Sequence, residues 1–157
     1  MLNFRPKVTK RAKRSRESAL VSRIMRAVRS RGTVPERMLK IALRRHGYRF
    51  KSHVRDLPGN PDFVFEDRRV AVFVDGDFWH GRQWKLRNFR SLEHQFRDTN
   101  NASYWLRKIS GNVRRDRRVD RQLRTAGWHV IRIWESALRD QPERCLRRIQ
   151  RLLEKVT

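Results

Sequence analysis

Asp62 and Asp75 are the residues from which a reaction can be read. Asp62 follows Pro61 at the head of Phe63-Val64-Phe65, and Asp75 ends the apolar run Val70-Ala71-Val72-Phe73-Val74. If these runs are neighbouring strands, both carboxylates reach the same sheet edge. A small cluster of hard oxygen ligands suits Mg²⁺, which takes few carboxylates and completes its shell with water and substrate phosphate. Asn60-Pro61-Asp62 is also ordinary turn chemistry, so a turn aspartate is the plain alternative. Behind Asp75 come Phe78-Trp79-His80, bracketed by Gly76 and Gly81. The glycines disfavour a continued strand and put the three side chains on a loop. There the aromatics can stack on bases or wedge between them, and His80 can act as general acid or base near a scissile phosphate. Core packing around a structural histidine is the competing reading. Asn112 and Asp116 lie four apart and share a helix face among Arg114, Arg115, Arg117 and Arg118, a pattern also met on solvated charged helices. Glu36 stands three residues after Thr33, where a capping box already accounts for a glutamate.

These residues need a scaffold, and the chain's patterning supplies one. Residues 1–17 hold seven basic residues and one acid and read as a flexible basic arm, with a single domain expected over 18–157. From Ser22, the stretch Ile24, Met25, Ala27, Val28 suggests a short helix ending near Gly32. Thr33, Pro35 and Glu36 open a stronger helix that carries Met38, Leu39, Ala42 and Leu43 at helical spacing and stops at Gly47. Tyr48 to Val54 alternates as a strand; Pro58-Gly59-Asn60-Pro61 turns into residues 62–65; the apolar run 70–74 reads as a central strand. Residues 81–101 show no period and read as a long functional loop. Tyr104 to Ala126 is helical, Trp128 to Trp134 a strand, and Pro142 starts a last helix. The order predicts an α/β fold: a small mixed sheet flanked by helices.

Composition narrows the partner. Lys and Arg total 40 of 157 residues against 16 acids, a formal charge of +24. Arginine supplies 32 of the 40, which favours planar, bidentate phosphate recognition. With five Trp and eight Phe the chain can still bury a core. No apolar run approaches the ~18 residues of a membrane span, and no secretion signal opens the chain, so an intracellular protein is expected. The single cysteine, Cys145, excludes an intrachain disulfide and a four-cysteine zinc site. Charge spread along the whole chain favours nucleic acid over an anionic membrane surface, which would suit one basic amphipathic helix.

Taken together, Met25-Arg26-Ala27, Glu36, Pro58-Gly59-x-Pro61-Asp62-Phe63, Phe73-Val74-Asp75-Gly76-x-Phe78-Trp79-His80-Gly81, Trp105-x-x-Lys108-Ile109, Asn112-Val113-x-Arg115-Asp116-Arg117-Arg118 and Gly127-Trp128-x-Val130 to Trp134-Glu135 resemble the very short patch repair (Vsr) DNA mismatch endonucleases, over about residues 21–140. The resemblance implies a restriction-endonuclease-like fold of the PD-(D/E)xK type. It implies an enzyme that uses Mg²⁺ to nick one strand 5′ to the thymine of a T:G mismatch in double-stranded DNA. By the same resemblance Asp62 binds the metal with the Val74 backbone carbonyl, and His80 activates the attacking water. Glu36, Asn112 and Asp116 are accessory active-site groups, and Asp75 falls where members carry either histidine or aspartate. Phe78, Trp79 and Trp105 match aromatics that wedge into DNA beside the mismatch. Met25 matches a residue entering the opposite groove, and Arg26, Lys108 and Arg115 are expected on DNA. The lysine of related Asp/Glu-x-Lys nucleases is missing after Phe73, as is usual in the family. The family commonly clamps this region with a structural zinc; here Asp77, Arg82, Trp84 and Ser136 stand at the matching positions. No structural zinc is therefore expected, and an Asp77–Arg82 ion pair is expected instead. A cytoplasmic, nucleoid-associated monomer with mismatch-repair proteins as candidate partners completes the reading. Its alternatives are a nickase of this type with a homing or defence target, and a DNA-binding protein of this fold with weak or lost catalysis.

Overall fold

The strand Val70–Asp75 organises everything around it, because it is apolar on both faces and therefore needs cover on both. In the computed structural model, which describes residues 32–156, it is β3 of a four-stranded sheet ordered β1 (Lys51–Ser52), β2 (Phe63–Phe65), β3, β4 (His129–Trp134). β1–β2 and β2–β3 pair antiparallel, whereas β3–β4 pair parallel in the register Val70↔His129 to Asp75↔Trp134. A parallel neighbour requires a crossover, and the long helix α4 (Ala102–Thr125) provides it. The short helices α2 (Gln83–Leu86) and α3 (Leu92–Phe96) precede α4 in chain order, α1 (Val34–Arg45) lies before the sheet, and α5 (Glu135–Asp140) and α6 (Pro142–Lys155) follow β4.

Strand alternation sorts the core into two layers. Val70 and Val72 of β3 join Phe63, Phe65, Ile131 and Ile133 against Leu39 and Leu43 of α1, Leu138 of α5 and Leu146, Ile149 and Leu153 of α6. Ala71 and Phe73 face the other way, onto Val119 and Leu123 of α4. The mixed α/β sheet flanked by helices expected from the sequence is therefore present. Two close approaches demand glycine. A Cβ on Gly59 would lie 2.6 Å from Val119, and one on Gly81 2.9 Å from Val113, both at positive φ.

Three expectations are corrected. The span 81–101 is not a continuous loop but holds α2 and α3, the latter capped by Ser91 Oγ, which accepts from the His94 amide at 3.1 Å. Helices of about one turn are too short to display a period. The strand expected over residues 48–54 shrinks to Lys51–Ser52, because His53 at φ 54° leaves the extended region. Helix α5 was not expected, since one and a half turns directly after a strand carry no separate signal. The arm 1–17, the short helix after Ser22, and Met25 and Arg26 lie outside the described residues. Every element above lies within one compact unit that begins at Val34. No helix among the described residues is long and apolar enough to cross a membrane.

Candidate active site

Antiparallel pairing delivers Asp62 to β3. One residue ahead of β2, its amide donates to the Val72 carbonyl at 3.0 Å, and its Oδ2 accepts from the Val74 amide at 2.7 Å. The β1–β2 register then places His53 against it, with the His53 amide donating to the Asp62 carbonyl at 3.1 Å. Glu36, buried on the first turn of α1, approaches the same imidazole: Glu36 Oε2 lies 3.8 Å from His53 Nε2, and Asp62 Oδ1 3.7 Å from His53 Nδ1. One ligand atom from each of Glu36, His53 and Asp62 lies within 4.8 Å of the others.

That geometry is electrostatically costly without a cation. Burial pushes the Asp62 carboxyl from 3.8 up to about 7, with Glu36 and Asp75 adding repulsion that the Val74 amide and His80 offset only in part. Two carboxylates and an imidazole in one partly buried recess fit a divalent metal ion, whose charge would relieve that strain.

Asp75, expected beside Asp62 as a ligand, is occupied differently. Both of its oxygens accept from Arg132 Nη1, at 2.9 and 3.0 Å, and it stands outside the three-residue group. Burial raises its carboxyl despite the charges of His80 and Arg132. Arg132 also donates from Nε to Asp120 Oδ1 at 2.8 Å and lies 3.7 Å from Asp116 Oδ1, so one guanidinium ties β3, β4 and α4 together. His80 Nδ1 sits 2.6 Å from Asp116 Oδ2 and 3.5 Å from Asp75 Oδ1. Burial works to raise Asp116, but the hydrogen bond and charge of His80, with Arg132 and Arg115, outweigh it and hold the carboxyl below its usual range. An ionised Asp116 fixes the proton on Nδ1 and leaves Nε2 as the basic nitrogen.

Asn112 does not join these acids. Its Nδ2 donates to the Trp79 carbonyl at 2.9 Å, fastening the turn after β3 to α4. On that turn Phe78 and Trp79 meet each other edge-on at a centroid distance of 4.9 Å and meet Trp105 edge-on or tilted at 5.5 and 6.2 Å, with Phe96 behind them. Phe78, Trp79 and Trp105 are half-buried, whereas Lys108 and Arg115 are exposed along α4. The other end of the turn is held by Asp77, whose oxygens accept from the Ser136 amide at 2.9 Å and Ser136 Oγ at 2.8 Å. Arg82 Nε stands 3.8 Å from the same carboxylate, so the expected pair is within ionic range but secondary to Ser136. Asp77→Ala strips acceptors from both Ser136 donors and should cost about 1–3 kcal/mol in urea unfolding.

Sequence reasoning missed His53 and Arg132. A lone arginine between Ile131 and Ile133 was a readable signal of a buried acidic partner. His53 was detectable only through strand register, one residue beyond the pairing of Ser52 with Phe63.

The family model described as DNA mismatch endonuclease Vsr matches residues 9–86. The chain is 38% identical over 117 residues to the Type II nicking enzyme V.XorIIP of Xanthomonas oryzae pv. oryzae, covering 74% of this chain and 80% of that protein. It is 37% identical over 123 residues to the DNA mismatch endonuclease Vsr of Escherichia coli, covering 78% and 74%. To the Type II nicking enzyme V.HpaIIP of Haemophilus parainfluenzae it is 32% identical over 125 residues, covering 80% and 84%.

Proposed function

Because the chain belongs to the Vsr family of DNA endonucleases, we propose that it is a Mg²⁺-dependent nickase that cuts one strand 5′ to the thymine of a T:G mismatch. The observation that carries the reading is the 2.6 Å contact of His80 with Asp116, with the same ring nitrogen 3.5 Å from Asp75 at the sheet edge where Asp62 lies. A histidine oriented by a carboxylate beside a carboxylate-rich cation site is the arrangement that phosphodiester hydrolysis needs.

Asp62 and Glu36, together with the Val74 carbonyl, would hold Mg²⁺ with His53 beside them, and the bound ion would neutralise charge on the scissile phosphate. His80 Nε2 takes the proton from the attacking water while Asp116 stabilises the imidazolium that results. Arg132 holds Asp75 and Asp116 in register. Phe78, Trp79 and Trp105 enter the stack beside the mismatch, and Asn112 keeps Trp79 in place for that insertion. A T:G wobble unstacks more readily than a Watson–Crick pair, so insertion there is less costly.

A nicking assay with T:G and C:G duplexes, with and without Mg²⁺, tests the reading directly. The expected product is a single nick in the T strand of the mismatch, only with metal. Equal cutting of both duplexes would leave a nickase with another target. Trp79→Ala should erase most of the T:G preference at moderate salt while leaving the slope of log affinity against log salt nearly unchanged. Retention of full preference would make these aromatics packing rather than recognition.

A further inference from the structure

On α6, Arg144, Arg147, Arg148 and Arg151 are spaced i, i+3, i+4 and i+7, so they form one stripe beside the apolar stripe that packs on the sheet. All four are exposed, and with Arg82 and Trp134 they line an open pocket of about 1020 Å³. Like charges at these spacings repel one another along a helix. The pocket offers little relief: its one acid, Asp140, accepts from Arg139 at 3.0 Å. Two of the arginines have neutral partners, Arg144 bonding Gln141 Oε1 and Arg148 the Arg132 carbonyl. At the inner wall, Arg82 stands over the Trp134 ring at 5.1 Å, and its Nη1 is buried with no hydrogen-bond partner. A buried guanidinium donor without an acceptor and a self-repelling arginine stripe share one remedy, an anionic ligand.

The pocket's position identifies that ligand. It begins at Arg82, two residues past His80, and extends over the carboxyl end of β4 to α6. Ser136, on the pocket's lining, donates to Asp77 at the start of the turn that carries His80. A duplex presenting its scissile bond to His80 continues past that point in both directions. We propose that the Arg82–Arg151 pocket docks backbone phosphates of the duplex flanking the cut, adding affinity without base preference. Guanidinium forks suit successive phosphate groups better than ammonium groups do, and the pocket contains no lysine.

The proposal requires only a DNA substrate, so it is tested on a matched duplex and stands apart from T:G specificity. Arg144→Gln, Arg147→Gln and Arg151→Gln are combined in the full-length protein, sparing Arg148 for its bond to β4. Fluorescence polarisation across a salt series reads affinity, and a thermal melt verifies folding. Each lost phosphate contact should lower the log–log salt slope by about 0.9, so the triple variant should lose roughly 2–3 and bind at least ~10-fold more weakly at moderate salt. Its single-turnover rate at saturating enzyme should stay within about twofold of the parent. A control removing the same charge from exposed arginines elsewhere, Arg44→Gln with Arg45→Gln and Arg49→Gln, should change the slope far less. An unchanged slope in the pocket variant, which would turn attention to an acidic protein segment, overturns the proposal. So does an equal loss in the control, which would reduce the effect to bulk charge.

Discussion

Replacing His80 with alanine is expected to slow single-turnover nicking by about 10²–10⁴-fold while DNA affinity moves only a few-fold. The proton of the attacking water is in transit only in the transition state, so a base that accepts it contributes to rate rather than to ground-state binding. Affinity rests on the arginines, which are untouched. Asp116→Asn should reproduce much of the loss, for a reason specific to this geometry. At 2.6 Å from Nδ1, an ionised carboxylate can only accept. An amide can turn its NH₂ to the ring, move the proton to Nε2, and remove the basic nitrogen from the water. The two variants should therefore be non-additive: the double variant should be about as slow as the slower single one. Additive losses would mean that Asp116 acts elsewhere. A near-normal rate in the His80 variant would remove His80 from the site altogether.

Much of this site was legible in the sequence because its residues sit at strand ends and helix repeats, where local pattern determines place. Asp62 at the head of β2, Asp75 at the end of β3 and the four-residue spacing of Asn112 and Asp116 follow from period alone. What those residues touch does not. Asp75 and Asp62 share the sheet edge as expected, yet Arg132 on β4 claims Asp75, and that depends on the Phe73↔Arg132 register of a parallel pair separated by the whole of α4. Asn112 shares a face with Asp116 but bonds backbone instead of joining the acids, because the turn after β3 folds back onto α4 there. Glu36 illustrates the same limit. Its spacing from Thr33 described a helix start, while its burial against His53 is set by how α1 packs on the sheet. The helical content of 81–101 was hidden for a different reason: one-turn helices gain their stability from capping and tertiary contact, not from a repeating apolar face.

The second large effect is a trade of stability against activity at Asp62. A carboxyl carried from 3.8 to about 7 on folding binds protons more tightly in the native state than in the unfolded chain. Stability contributed by this group is therefore present below about pH 4 and is lost as pH rises through about 7, which is the reverse of a salt-bridged aspartate. Fully ionised, it would cost the metal-free protein up to about 4 kcal/mol. Asp62→Asn removes the charge and keeps an oxygen to accept from the Val74 amide. In EDTA at pH 8, the variant should be about 1–3 kcal/mol more stable than the parent by urea unfolding, and the gap should close towards pH 4. Comparing the two proteins at each pH cancels the self-repulsion of the other charges, which both share. Divalent metal should reverse the order, stabilising the parent and leaving the variant nearly unaffected, and the variant should not nick DNA. A variant less stable than its parent by the same amount at pH 4 and pH 8 would show that Asp62 is a structural hydrogen-bonding residue, and that the recess is not built around a cation.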